Sequence, residues 1–87
     1  MQTVWKVTIN DRVEHVKVPV GYTVLSTAIQ NRKPVVWIQV DPEEPETVSI
    51  KLKAVATGEV NVNVSDQFIG TLMFINGAIV EHIYLER

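Results

Sequence analysis

VVWIQVDPEEPETVSIKLKAVAT, residues 35–57, decides the fold. On either side of the prolines, side chains alternate with a period of two, the signature of extended chain rather than helix. Val36, Ile38 and Val40 make one apolar face; Val48, Ile50, Leu52 and Ala54 make another, with Ser49, Lys51 and Lys53 opposite. DPEEPE (41–46) interrupts the pattern and reads as a turn between two strands. Pairing 35–41 with 47–57 as an antiparallel hairpin aligns their apolar faces and also their outer faces. Trp37 then stands on the outer face beside Lys51 and Lys53. A large ring and two ammonium groups on one sheet face make the most suggestive arrangement in the chain. The alternatives are a lid of lysine stems packed over the indole, or an oligomer interface.

The alternation extends both ways from this segment. In VWKVTIN (4–10), Trp5, Val7 and Ile9 share a face, which assigns Trp5 to the core, and Asn10 to Arg12 form a turn. Val16, Val18 and Val20 alternate with His15, Lys17 and Pro19. Proline cannot donate a ladder bond, so this strand belongs at a sheet edge. TVLSTAIQ (23–30) is taken as extended, EVNVNVSD (59–66) as alternating strand, and FIGTLMFINGAIVEHIYLE (68–86) as a hairpin turning at Asn76-Gly77. The expected fold is all-β: a small antiparallel β-sandwich or barrel of about seven strands, with at most one short helical turn near Ser65 to Phe68. Its 87 residues suffice for a single domain, 1–87.

Composition narrows the function classes. The charged fraction is 21% and the net charge −2, with an isoelectric point near 5.6. Nucleic-acid polymers demand a positive field and are disfavoured, whereas a small phosphorylated ligand needs only a few local cations. Cysteine is absent, which removes disulfides, thiolate nucleophiles and cysteine-type zinc sites. No segment reaches the roughly 18 apolar residues of a membrane span, and no signal-peptide pattern opens the chain. The expected location is the cytoplasm. So small a domain buries a modest share of its surface, and a homo-oligomer is expected.

Candidate chemistry is sparse. Asp41, Glu43, Glu44 and Glu46 lack the glycine and ligand spacing of a calcium loop and read as a solvated connection. His82 is either a hydrogen-bonded structural histidine or a ligand contact. Thr57-Gly58 ends a strand, where backbone N–H groups can hold one anion. No nucleophile, base and oxyanion stabiliser come together, so no enzyme, catalytic residue, metal or cofactor is expected.

Three stretches in order, TVLSTAIQNRKPVVWIQVDPE, IKLKAVATGE and FIGTLMFINGAIVEHIYLE, resemble a family of small proteins found mostly in bacteriophage and prophage genomes. Its pattern runs I-L-S-x-x-x-Q-N-G-x-x-x-L-W-x-x-V-D-P, R-x-x-G-T-G-H, Y-I-G-T and W-H-V-F-E. Matching positions are Leu25, Ser26, Gln30, Asn31, Trp37, Val40, Asp41, Pro42, Thr57, Gly58, Ile69, Gly70, Thr71 and His82. The chain departs from it at Lys53 for arginine, Ala56 for the first glycine of G-T-G, Glu59 for histidine and Glu81 for tryptophan. The resemblance implies a non-enzymatic phage sponge that sequesters a nucleotide second messenger of bacterial immunity, a CBASS cyclic dinucleotide or a Thoeris ADP-ribose derivative, in the host cytoplasm. The implied ligand-binding residues are Trp37, Lys51, Lys53, Thr57, Gly58 and His82. The competing expectation is a structural or protein-interaction β module that oligomerises through the Trp37 face.

Overall fold

The computed structural model describes residues 1–87 as seven strands and no helix, hence no helix long and apolar enough to cross a membrane. These are β1 (Thr3–Thr8), β2 (Val13–Pro19), β3 (Thr23–Gln30), β4 (Lys33–Val40), β5 (Thr47–Ala56), β6 (Gln67–Phe74) and β7 (Ile79–Glu86). All neighbours are antiparallel, in a three-stranded sheet β1-β4-β3 and a four-stranded sheet β2-β5-β7-β6. The β-branched alternation seen in the sequence supplies each sheet with one apolar face, and the two faces meet. Val36, Ile38 and Val40 from β4 face Ile50, Leu52 and Ala54 from β5 and Ile83 and Leu85 from β7 in one buried cluster. Each fully buried aliphatic side chain of this kind contributes about 1.5–3 kcal/mol.

The hairpin expected from 35–57 does not form. β4 lies between β1 and β3, whereas β5 lies between β2 and β7 in the other sheet. Residues 41–46 therefore carry the chain across the sandwich. Inward-facing residues of β4 and β5 do meet, but across the core, so their outward faces lie on opposite surfaces of the molecule. Alternation fixes which side chains share a face and is silent about which strands pair.

Local geometry explains the remaining departures. Trp5 has inward parity, opposite Ile38, but β1 is an edge strand and the ring is 37% exposed at the rim instead of in the core. Residues 59–66 form no strand, and Val60 and Val64 are fully exposed. Because β7 separates β5 from β6, the segment 57–66 must cross β7 on the outer surface and finds no ladder partner there. Pro19 does sit on an edge strand, β2. A bulge between Val24 and Ser26 makes Leu25 the extra residue, placing both Val24 and Thr27 on the inner face. A second bulge between Phe68 and Gly70 does the same in β6, where Ile69 packs against the core.

The sandwich closes where β3 meets β6. A Cβ on Gly70 would lie 2.7 Å from Thr27 Cγ2, so only glycine permits this approach. Thr27 is held in place by its own hydroxyl, which donates to the Val35 carbonyl at 2.7 Å.

Candidate functional site

The outer surface of the four-stranded sheet gathers most of the polar chemistry. β5 presents Lys51, Lys53 and Val55 there; β7 presents Glu86, Tyr84 and His82 directly opposite. β6 adds Phe68 opposite Tyr84 and Thr71 opposite His82. The crossing segment 57–66 folds back over this surface and converts part of it into a cleft of about 240 Å³. Thr57, Gly58, Val62, His82 and Tyr84 line the cleft.

His82 is held at both ring nitrogens. Thr57 Oγ1 lies 2.8 Å from Nε2 and Thr71 Oγ1 lies 2.9 Å from Nδ1. A neutral imidazole has one N–H donor and one acceptor, and a threonine hydroxyl satisfies either. The ring therefore fixes two hydroxyls, that of Thr57 in the cleft and that of Thr71 on the neighbouring strand. Gly58, at φ +88, supplies the left-handed turn that lets the chain leave β5 and double back. Phe68 meets Tyr84 edge-on, centroids 5.5 Å apart and planes at 63°, and is itself 54% exposed. The sequence reading passed over Phe68. Its parity in the expected hairpin could not reveal the exposure, because the bulge beside it resets the face.

Lys53 is not a free cation. Only 1% of its side chain is exposed, and Nζ lies 2.7 Å from Asp66 Oδ2 and 3.3 Å from Glu86 Oε1. Burial alone would lower its pKa, but the hydrogen bonds to Asp66 and Glu86 outweigh that and raise it. Asp66 is equally enclosed and also accepts backbone N–H bonds from Asn63 at 2.8 Å and Arg87 at 3.1 Å. The Lys53 hydrogen bond, with those two N–H groups, holds its carboxyl down to about 2. Lys53 thus anchors the crossing segment. Lys51 remains partly exposed and pairs with Glu86 at 3.2 Å, which lowers the Glu86 pKa.

Trp37 stands apart from all of these. It projects outward from the three-stranded sheet, half-buried, with Lys6 on β1 and Ser26 on β3 as its lateral neighbours. Lys6 reaches across β4 to Gln30, its Nζ donating to Oε1 at 2.9 Å. The expected grouping of Trp37 with Lys51 and Lys53 is therefore overturned by the sheet assignment of β4 and β5. The cation beside Trp37 is Lys6, which the assumed hairpin concealed.

At the end of the cleft, Arg12 pairs with Glu59 and lies 3.7 Å from Glu81. The Arg12 hydrogen bond, helped by the N–H of Ala56, lowers the Glu59 pKa. The two acids that depart from the resembled pattern thus share one guanidinium, and Glu59 is turned toward it.

The chain belongs to a family described as a domain of unknown function (DUF7352), whose model matches residues 1–87. No curated protein and no solved structure matches it.

Proposed function

We propose that the protein is a non-enzymatic binding domain that sequesters a small nucleotide on the outer surface of the four-stranded sheet. One observation carries this reading. Thr57, Gly58 and His82, singled out for nucleotide chemistry, line one cleft beside an aromatic pair, half-buried Tyr84 and exposed Phe68. The base stacks on Phe68 or Tyr84, an interaction worth about 1–3 kcal/mol. The hydroxyls fixed by His82 and the backbone at Gly58 bond the sugar or a phosphate oxygen, and Lys51 supplies positive charge farther along the face.

A non-catalytic role is supported by the partners of His82. A base that takes a proton needs a counter-charge for the resulting imidazolium, and here both ring nitrogens meet hydroxyls. The resemblance to phage and prophage proteins supports an immune second messenger as the ligand, a cyclic dinucleotide or ADP-ribose derivative, met in the host cytoplasm. Trp37 has no part in this site. An interaction module built on Trp37 has less support, since that ring is half-buried while larger apolar exposures lie elsewhere.

A thermal-shift panel of cyclic dinucleotides and ADP-ribose derivatives tests the reading, because a ligand of the folded state raises Tm by mass action. At least one compound should raise Tm and be recovered intact after denaturation. Phe68→Ala and Thr57→Val should abolish the shift, whereas Trp37→Ala should preserve it. A panel without any shift, or recovery of cleaved product, overturns the proposal.

A further inference from the structure

Apart from the nucleotide reading, the two ends of the sandwich are chemically complementary. One end carries the β3–β4 turn and the tip of the β6–β7 hairpin, with an open groove of about 750 Å³ between them. Ile29, Met73, Phe74, Ile75 and Ile79 form its apolar walls, and Arg32 and Glu81 complete the lining. Glu81 is engaged by Arg12. Arg32 takes part in none of the ion pairs or side-chain hydrogen bonds of the molecule. The groove therefore offers apolar contact plus one uncommitted guanidinium, and Lys33 stands next to Arg32 in sequence.

Ile75 adds a second peculiarity. It sits at φ +51, a left-handed backbone that a β-branched residue rarely adopts, and its side chain is 72% exposed. Neither backbone preference nor core burial accounts for an isoleucine there. Met73 and Ile79, beside it, are 64% and 47% exposed.

The opposite end carries residues 41–46. β4 and β5 run the length of the sandwich between the two ends, and the longest dimension of the molecule is 41 Å. Asp41, Glu43, Glu44 and Glu46 form no ion pair with any lysine or arginine. Pro42 and Pro45 are exposed between them. This segment is thus apolar at its prolines, negative at its flanks and stiff in backbone, so docking costs it little conformational entropy.

We propose that copies of this chain associate head to tail, the acidic proline segment 41–46 of one copy seating in the Arg32 groove of the next. The prolines rest against Ile75, Phe74 and Ile79, and Glu43 and Glu46 of the incoming copy pair with Arg32 and Lys33. Such an interface is heterologous, joining different surfaces of two identical molecules, so it propagates into a ring or a linear chain. Its ionic component is screened by salt.

The test uses two variants that each block one end: Arg32→Glu/Lys33→Glu in the groove, and Glu43→Lys/Glu46→Lys in the segment. All four side chains are on the surface, and circular dichroism verifies that each variant folds. In sedimentation velocity, the wild-type chain should show a mass that rises with concentration and falls toward the monomer in 1 M salt, about a 3 Å screening length. Each variant alone carries like charges on both ends and should stay monomeric. Mixed in low salt, the two should associate, because the wild-type segment of one meets the wild-type groove of the other and the reversed segment and reversed groove are again opposite in charge. The mixture should therefore regain an associated species that neither variant forms alone, and that recovery is the deciding observation. A wild-type chain that stays monomeric at every concentration overturns the proposal. So does an equimolar mixture that stays monomeric, or assembly that survives in either variant alone.

Discussion

At the residue scale, Lys53 is the most instructive position. Period-two parity places it on the outer face of β5, and there it lies. What parity omits is the segment that crosses that face and buries the ammonium under Asp66. A sequence of alternating valines at 60, 62 and 64 reads as strand, and only the insertion of β7 between β5 and β6 denies it a partner. His82 was legible as a polar residue on β7, whereas its two threonine partners come from β6 and the end of β5 and needed the register. Replacing Asp66 by Asn leaves a buried ammonium without its main counter-charge, among the costlier changes a small domain can suffer. Asp66→Asn should lower Tm by roughly 10 °C or more in a thermal melt. A shift within a degree or two would show that the pair holds nothing together.

At the element scale, the strands were legible and their irregularities were not. The turn at 31–32 joins β3 and β4 with both central residues at positive φ, as a two-residue hairpin requires. Asn76-Gly77 marked the last hairpin correctly, but the loop spans 75–78 and pulls Ile75 into the left-handed region as well. Ile75→Asn should therefore stabilise the isolated domain by about 0.5–1 kcal/mol in denaturant unfolding, since asparagine tolerates that backbone. The same change should weaken self-association in sedimentation, separating fold from assembly. Gly70→Ala should destabilise by about 1–3 kcal/mol through overpacking against Thr27. Thr27 cannot rotate its methyl aside without breaking its bond to the Val35 carbonyl. Thr27→Ser keeps that hydroxyl and removes the methyl, so the double variant should recover much of the loss. If it recovers none, the Gly70 contact is not the reason for glycine.

At the scale of the whole molecule, the all-β class and the strand count follow from alternation and turn residues, but the partition into sheets does not. Six loop residues between β4 and β5 suit either a hairpin or a passage between sheets, and nothing local distinguishes the two. That ambiguity moved Trp37 to the wrong surface while leaving Thr57, Gly58 and His82 together. Acid stability is a molecular property with a residue origin. The Asp66 carboxyl titrates near 2 in the fold against an ordinary 3.8, so its contribution is complete above about pH 4 and is lost as pH falls toward 2. The depressed carboxyls of Glu59 and Glu86 act in the same direction. Lys53 acts oppositely, its contribution complete below its ordinary 10.5 and lost in stronger alkali. Urea midpoints should hold steady through neutral pH and drop between pH 4 and 2, and that acid drop should be shallower in Asp66→Asn.

The central position of β7 has a bearing on biosynthesis. β5 and β6 have no ladder with each other; both wait for residues 79–86, which are synthesised after them. A ribosome still translating β6 therefore holds a chain whose four-stranded sheet has an empty slot in its middle and an uncovered aliphatic surface. Nascent chains halted before residue 79 should remain protease-sensitive, and resistance should arrive in one step once that strand clears the exit tunnel.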